Sequence, residues 1–433
     1  MAGYRPAAMV RTPWGNAGEL RAKMMRPGWG TPREEADRNQ RERLFAALVA
    51  TVAEKGYDAT TLADLVSLSG VSRSAFYRHF DDKEDCFLAA VEALVGPTVG
   101  AIAKTDGRPA GEERAREVFD SLIRLLVEQV SAARMCFVEI YAAGPRAVGV
   151  LGSAVDAFEE FVAQTLREMP GRDEMPPQVV RAMIGGLHKV IHTRLYRGEE
   201  HELPALTPQM WQWGLSYLPP PQPLRRPRRR AGAIATSSDG HDPAERLLRA
   251  LASVVAEKGY PETTVADIVG RASVSQRTFY EHFAGREEAL LAALDRGSAQ
   301  MLAAILPAFR RAPDWPHAVR GSFGAMFAFA AVEPDYTQLG AVEVYAAGKR
   351  ALEQRDQVMA GLEGLLAPGY ELAPATSPIA AEAIGGAIYA LIYDQVKAKG
   401  PESLPEIVPL ATYVALAPFL GAKRACAVAN GEE

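Results

Sequence analysis

Thr60-Thr61-Leu62-Ala63-Asp64-Leu65-Val66, followed by Val71-Ser72-Arg73-Ser74-Ala75-Phe76-Tyr77-Arg78-His79-Phe80, decides the reading of this 433-residue chain, because the pattern occurs twice. Its second occurrence is Thr263-Thr264-Val265-Ala266-Asp267-Ile268-Val269 with Val274-Ser275-Gln276-Arg277-Thr278-Phe279-Tyr280-Glu281-His282-Phe283. Residues 42–85 and 245–288 are identical at 23 of 44 positions at a constant offset of 203, without a gap. A period near 200 residues is far too long for a solenoid and signals duplication of a whole fold. Weaker echoes extend it: Val138-Glu139-Ile140-Tyr141-Ala142-Ala143-Gly144 answers Val342-Glu343-Val344-Tyr345-Ala346-Ala347-Gly348, and Gly185-Gly186 answers Gly385-Gly386.

The repeated unit reads as short helices. Leu44, Leu48 and Val52 recur at helical spacing from near Arg38 to Lys55, and Gly56 supplies a left-handed end. Thr61 with Asp64 three positions on forms a capping-box-like start for a second helix, which Gly70 breaks. Ser72 caps a third helix through Phe80, and Asp81-Asp82-Lys83-Glu84 offers a cap and an acidic first turn for a fourth. Two short helices across a tight turn make a helix-turn-helix. In the second copy Ser273 stands where Gly70 needs a left-handed backbone, at a cost on the order of 1 kcal/mol, and Ala284-Gly285 is a weaker cap than Asp81-Asp82.

The pattern Thr-Thr-x-x-Asp-(Leu/Ile)-Val-x-x-x-x-Val-Ser-x-x-x-Phe-Tyr-x-His-Phe resembles the DNA-binding domain of TetR/AcrR-family transcriptional regulators. The resemblance covers about 45 residues in each copy and is much weaker beyond. It implies an all-α fold of two tandem halves, each a three-helix DNA-binding domain followed by a helical bundle for ligand binding and dimerisation. Such proteins form homodimers through a four-helix interface built by the last two long helices of each subunit. Here the two halves supply both sides in one chain, an intramolecular pseudo-dimer, through Gln178–Tyr196 with Pro208–Leu218 and Ile379–Val396 with Glu406–Leu420; the paired glycines let helix backbones approach closely.

The expected layout is a basic, flexible N-terminal arm (1–37), a first helix-turn-helix domain (38–85) and its bundle (86–218). A Pro/Arg-rich linker (219–242) follows, then the second helix-turn-helix domain (243–288), its bundle (289–424) and a tail (425–433). Extended at roughly 3.1 Å per residue, the linker would reach about 75 Å, enough to return from the far end of one bundle to the start of the next.

A recognition helix presents base-reading groups near its start, with others that bind flanking phosphates. Arg73, Ser74 and Ala75 occupy the base-reading end in the first copy, and Gln276, Arg277 and Thr278 in the second. Arg favours guanine, Gln suits adenine, and the methyl groups of Ala or Thr meet thymine. The two halves therefore should read unlike half-sites. The resemblance places phosphate contacts at Tyr77, His79 and Lys83, and at Tyr280, His282 and Arg286. Thr61 and Thr264 join them because backbone N–H groups at a helix start also face an anion. Phe76, Phe80, Phe279 and Phe283 read as core.

The net charge of −5 argues against indiscriminate nucleic-acid coating, but positive residues gather near the N-terminus and in Arg225, Arg226, Arg228, Arg229 and Arg230. No uncharged run of 18 apolar residues occurs; Ile379–Tyr393 comes nearest and holds Glu382. Residues 1–15 lack the apolar segment of a signal peptide. Cys86, Cys136 and Cys426 show no close pair or ligand spacing. These features lead to expectations of a cytoplasmic protein without cofactor or metal, not an enzyme, whose partners are double-stranded DNA and a small apolar effector, and not a membrane.

Two rivals remain. His188 and His192 sit four apart, a spacing that puts two metal ligands on one helix face and would start a metal-dependent enzyme, yet no Glu follows His188 and the second copy has Ile388 and Ile392. The pair reads rather as packed or interfacial. Glu139 and Glu343, each two residues before a Tyr, could line a ligand cavity, though a packing or surface role is preferred. A helical scaffold with degenerate helix-turn-helix units is the other rival. The preferred reading is a ligand-responsive repressor, its effector acting on the DNA domains through Cys86–Val95 or Ala289–Leu294.

Overall fold

The computed structural model describes residues 6–25, 32–103, 111–225 and 242–432. Among them the only strands are a two-stranded hairpin; everything else regular is helical. The hairpin pairs β1 (Arg11–Thr12) with β2 (Gly15–Asn16). The first half runs α1 (Arg33–Ala59), α2 (Leu62–Ser69), α3 (Arg73–His79), α4 (Lys83–Ala103), α5 (Glu112–Glu128), α6 (Val130–Phe137), α7 (Pro145–Arg167), α8 (Pro177–Arg197) and α9 (Leu203–Leu215). The second runs α10 (Pro243–Lys258), α11 (Val265–Ala272), α12 (Gln276–His282), α13 (Arg286–Arg311), α14 (Trp315–Val332) and α15 (Pro334–Ala341). It ends with α16 (Lys349–Glu363), α17 (Ala367–Leu372), α18 (Ala380–Lys399) and α19 (Val408–Asn430).

The local signals are realised in both copies. Gly56 (φ 81°, ψ 165°) interrupts α1 and Gly259 (φ 84°, ψ 155°) ends α10, each in a conformation closed to residues with a Cβ. Thr61 and Thr264 form full capping boxes with Asp64 and Asp267. Ser72 and Ser275 cap the recognition helices. Gly70 and Ser273 are both left-handed, at φ 68° and 53°. Asp82 caps α4, whereas Gly285 gives α13 no side-chain cap.

The chain divides into two compact units: one extends to Glu168 and adds Ile191–Thr207, the other takes Met169–Val190 and Pro208–Glu433. In the first, residues 6–25 pack rather than trail. Val10, Ala17 and Leu20 are buried against Ala46, Ala47 and Ala50 of α1, with Trp14 and Leu68 alongside, and the Trp14 and Phe45 rings lie 5.2 Å apart. The expected flexible arm is thus, over these residues, a folded cap. Its small core depends on alanines of α1, a pairing that composition alone does not reveal.

In the second unit, the first part of α8 and the last part of α9 pack with α18 and α19. A Cβ on Gly186 would fall 2.6 Å from the Ala383 carbonyl, and one on Gly386 2.7 Å from that of Gly185. These helices meet backbone to backbone, as the glycine pairs suggested. Arg181 donates to both oxygens of Asp394 at 2.8 and 3.3 Å, and the buried Tyr217 hydroxyl donates to the Val414 carbonyl at 2.9 Å. The anticipated tail is instead the end of α19, where Ala425, Cys426, Val428 and Ala429 are buried. Residues at the start of the linker dock there: Asn430 donates to the Pro223 carbonyl, and Arg225 pairs with Glu432 at 2.8 Å. Residues 226–241, with most of the arginine cluster, lie outside the described residues. Arg286–Arg311 and Pro401–Asn430 are long and apolar enough to cross a membrane, but the latter's apolar side chains are largely spent in the core of this unit.

Candidate nucleic-acid interface

Each DNA-domain unit is held by the same bonds. Lys55 donates to Asp64 at 2.6 Å and Lys258 to Asp267 at 2.6 Å, tying α1 to α2 and α10 to α11. The Lys55 and Thr61 donors push the Asp64 carboxyl down to about 2. Thr61 and Thr264 also give their hydroxyl protons to these carboxylates. Their own backbone N–H groups donate to the same carboxylates, so the outward donors of the helix starts are the amides of Leu62 and Ala63, and of Val265 and Ala266.

The recognition helices turn on a residue type that the sequence reading passed over. The buried Arg43 donates to the Ser69 carbonyl at 2.7 Å, and Arg246 donates to the carbonyls of Ala272 and of Ser273, the latter at 2.8 Å. Each arginine satisfies the C-terminal carbonyls of the helix before the turn, and so sets the angle at which α3 or α12 leaves. The identity of Arg43 and Arg246 at the repeat offset was the available signal. In the first copy Arg21 adds a second clamp, donating to the Ser67 carbonyl at 3.0 and 2.5 Å.

At the start of α3, Arg73 and Ser74 are exposed; at the start of α12, so are Gln276 and Arg277, with Arg277 leaning on Glu281 at 2.9 Å. Ala75 departs from expectation: it is buried at 8% exposure, on the core side of α3 with its neighbour Phe76 and with Phe80, so it offers no methyl to a base. Thr278 is half-buried, its hydroxyl held by Ser275 at 2.8 Å. Phe76, Phe80, Phe279 and Phe283 are core.

Tyr77 and Tyr280 stand out at 59% and 54% exposure. Each rests edge-on against the buried Phe before it, with centroids 5.5 and 5.3 Å apart. A large aromatic ring held rigidly on the outside, with its hydroxyl free of the core, suits a backbone contact. His79 is half-buried, its Nε2 3.0 Å from the Gln40 amide oxygen, while His282 is exposed. Lys83 and Arg286 turn inward. The Lys83 ammonium lies 4.0 Å from the Tyr57 ring centre and donates to the Tyr57 and Thr60 carbonyls at 2.9 and 3.1 Å. Arg286 lies over Tyr260 at 4.3 Å and donates to the carbonyls of Tyr260, Pro261 and Thr263. Both staple the loop before the second helix.

Glu139 and Glu343 do not face a cavity. Glu139 accepts from the Tyr57 backbone N–H at 2.9 Å, and Glu343 from that of Tyr260 at 3.2 Å. Each bundle thus grips the end of its own first DNA-domain helix. His192 lies between Tyr141 and Tyr196, stacked on the latter at 5.9 Å. His188 is half-buried beside Arg355 and Lys189, and desolvation first, then these cations, push its pKa down to about 4. Such positive surroundings disfavour a metal ion there.

The family model of the bacterial regulatory proteins, tetR family, matches the chain twice, at residues 44–90 and 247–294. The chain thus carries two tetR-family DNA-binding domains in tandem. Its relatives are transcription regulators and not enzymes. It is 30% identical over 105 residues to the uncharacterized HTH-type transcriptional regulator YerO of Bacillus subtilis (strain 168), covering 21% of this chain and 36% of YerO. To the HTH-type transcriptional activator FasR of Mycolicibacterium smegmatis it is 31% identical over 142 residues, covering 32% of this chain and 61% of FasR. The chain spans between 36% and 61% of the length of these curated relatives. Among solved structures, the fatty acid degradation regulator FadR from Bacillus halodurans aligns with a TM-score of 0.35 at 19% identity, over 40% of this chain and 97% of FadR.

Proposed function

We propose that this TetR-family protein is a ligand-responsive transcriptional repressor that reads an asymmetric operator as an intramolecular pseudo-dimer. One observation carries the reading: both helix-turn-helix units keep the same internal bonds and the same outward Tyr, yet expose Arg73 and Ser74 in one and Gln276 and Arg277 in the other. Identical scaffolds with unlike reading residues fit a site whose two halves differ in sequence. Tyr77, His79, Thr61 and the start of α4, with Tyr280, His282, Thr264 and the start of α13, would hold the flanking phosphates. The pseudo-dimer is supported by the contacts of α8 and α9 with α18 and α19, which use up the surfaces a homodimer would share between chains. DNA as partner places the protein in the cytoplasm.

The test is selection of bound sequences from a random pool with the full chain, together with the mass of the protein–DNA complex. We expect two unlike half-sites about one or two helical turns apart and one chain per operator. A perfect palindrome bound by two chains would refute the pseudo-dimer.

A further inference from the structure

The second bundle contains a partly open cavity of about 140 Å³ lined by α13, α14, α15, α16 and α18. An engineered protein cavity of about 150 Å³ accommodates benzene, so this one admits a small organic molecule. A neighbouring cavity of about 70 Å³ shares Met326, Met359, Leu362 and Ile392 with it. Both lie along one face of α16 between Arg355 and Glu363, eight residues or about 12 Å of helix. Two flexible methionines form the partition, and a thioether chain shifts rotamer at little cost. The space therefore favours a narrow apolar body over a broad one.

Its polar features are concentrated at one end. Arg355 borders the larger cavity between the rings of Tyr345 and Tyr389, at 5.0 and 5.1 Å. Asp356 accepts from Arg355 at 2.8 Å and pairs with Lys189 at 3.4 Å, which sets two cations close together beside this end of the cavity. On another wall the Tyr336 hydroxyl is buried with no hydrogen-bond partner among the described residues, and a buried hydroxyl favours a partner.

We infer that this cavity is the effector site and that its ligand is a small, unbranched apolar molecule ending in one anionic group, the anion held by Arg355 and an oxygen meeting Tyr336. The inference rests on the ligand-responsive reading above. Tyr336 also connects the site to DNA: it belongs to the buried cluster that contains Leu247, Leu251, Phe279 and Phe283 of the second DNA domain. Its ring presses on Gly297 of α13, where a Cβ would lie 3.1 Å away. A ligand that moves Tyr336 therefore acts on the seating of α10 and α12 through α15 as well as through α13.

The experiment uses the full chain, straight-chain carboxylates of six to twelve carbons, and the matching primary alcohols. Binding is measured by calorimetry, and operator affinity is measured separately. We expect the carboxylate of best length to bind at least tenfold more tightly than its alcohol. Arg355→Gln should remove that preference while leaving the alcohol's affinity unchanged, and Tyr336→Phe should weaken the carboxylate severalfold. Ala330→Trp, which fills the cavity, should abolish binding of both while the circular-dichroism melt remains cooperative. Equal affinity for acid and alcohol, binding that survives Ala330→Trp in folded protein, or no binding at millimolar ligand would overturn the inference. Binding as expected with unchanged operator affinity would uphold the site and refute the ligand-responsive reading; release of DNA by other compounds, with no carboxylate binding, would do the reverse.

Discussion

The Glu139 carboxylate accepts a hydrogen bond from the Tyr57 backbone N–H at 2.9 Å, joining residues 82 positions apart, and Glu343 does the same for Tyr260 at 3.2 Å. Each bond bridges a bundle and a DNA-binding domain, at the glycine kink where the first helix ends. A carboxylate on a helix-terminal amide is a strong, directional contact, so it fastens the bundle to the helix that supports the recognition unit.

Glu139→Ala should release that end of α1. Loss of a charged acceptor costs about 1–3 kcal/mol, and the amides of residues 57–60 should exchange with solvent ten- to a hundredfold faster in hydrogen-exchange mass spectrometry. Glu343→Ala should do the same at 260–263 and leave the first copy unchanged. Unaltered exchange in both variants would show that the bond carries no local stability.

Tyr77→Phe and Tyr280→Phe should each weaken operator binding severalfold without altering the selected sequence, because a hydroxyl on a phosphate carries no base information. Lys83→Ala and Arg286→Ala act differently. Their charges are spent on carbonyls and a tyrosine ring inside the domain, so these variants should lower the melting temperature and change the salt slope of binding by less than the roughly one unit expected per lost cationic phosphate contact. A full unit lost with unchanged melting would restore Lys83 or Arg286 as a phosphate ligand.

Arg21→Ala should loosen the turn before α3 alone. The guanidinium donates twice to the Ser67 carbonyl, whereas at the corresponding part of the second copy Arg271 pairs with Glu257 at 2.6 Å. We expect weaker binding at the half-site read by Arg73 and unchanged protection of the other in footprinting. Equal weakening at both half-sites would count against a local clamp.

His188 makes stability pH-dependent. Its folded pKa, about 4, lies below the ordinary 6.5, so the unfolded chain takes up a proton first as pH falls. The stabilising effect is complete above about pH 6.5 and is lost progressively down to about pH 4, at about 1.4 kcal/mol per pH unit. Between pH 7 and 5 the protein should lose about 2 kcal/mol more than His188→Leu does, as read from guanidinium midpoints. Parallel pH profiles would refute the assignment.

The helix-turn-helix units were legible because their determinants are local: Thr61 caps on Asp64 three residues away, Ser72 caps its own helix, and Ser273 had to take the backbone angle of Gly70. The helix pairing at Gly185-Gly186 and Gly385-Gly386 was legible because a missing side chain is itself a packing signal. What escaped detection depends on partners distant in sequence. Glu139 was visible as a recurrent acid, but nothing near it names the Tyr57 amide. Lys83 sits where a phosphate ligand belongs, and only the folded loop shows two carbonyls and a tyrosine ring closer at hand. Ala75 lies on the correct helix but on its inner side, a difference of one residue in register. The N-terminal cap was hidden because its residues are basic and small, and its core comes from alanines of another element.

That cap has a bearing on how the two halves diverged. The face formed by Ala46 and Ala50 of α1 with Leu68 of α2 lies beneath it, whereas the matching positions of the second copy are Arg249, Ser253 and Arg271, which pair among themselves and with neighbouring acids. In a homodimer every substitution is made twice, so a surface can be dry in one subunit only if it is dry in both. Fusion lifts that constraint. One half carries an apolar face that residues 10–20 cover, while the matching face of the other is charged. Exchanging the two DNA domains would strand an apolar face in the middle of the chain and bury charges at its start: the order of the halves is now a property of the fold.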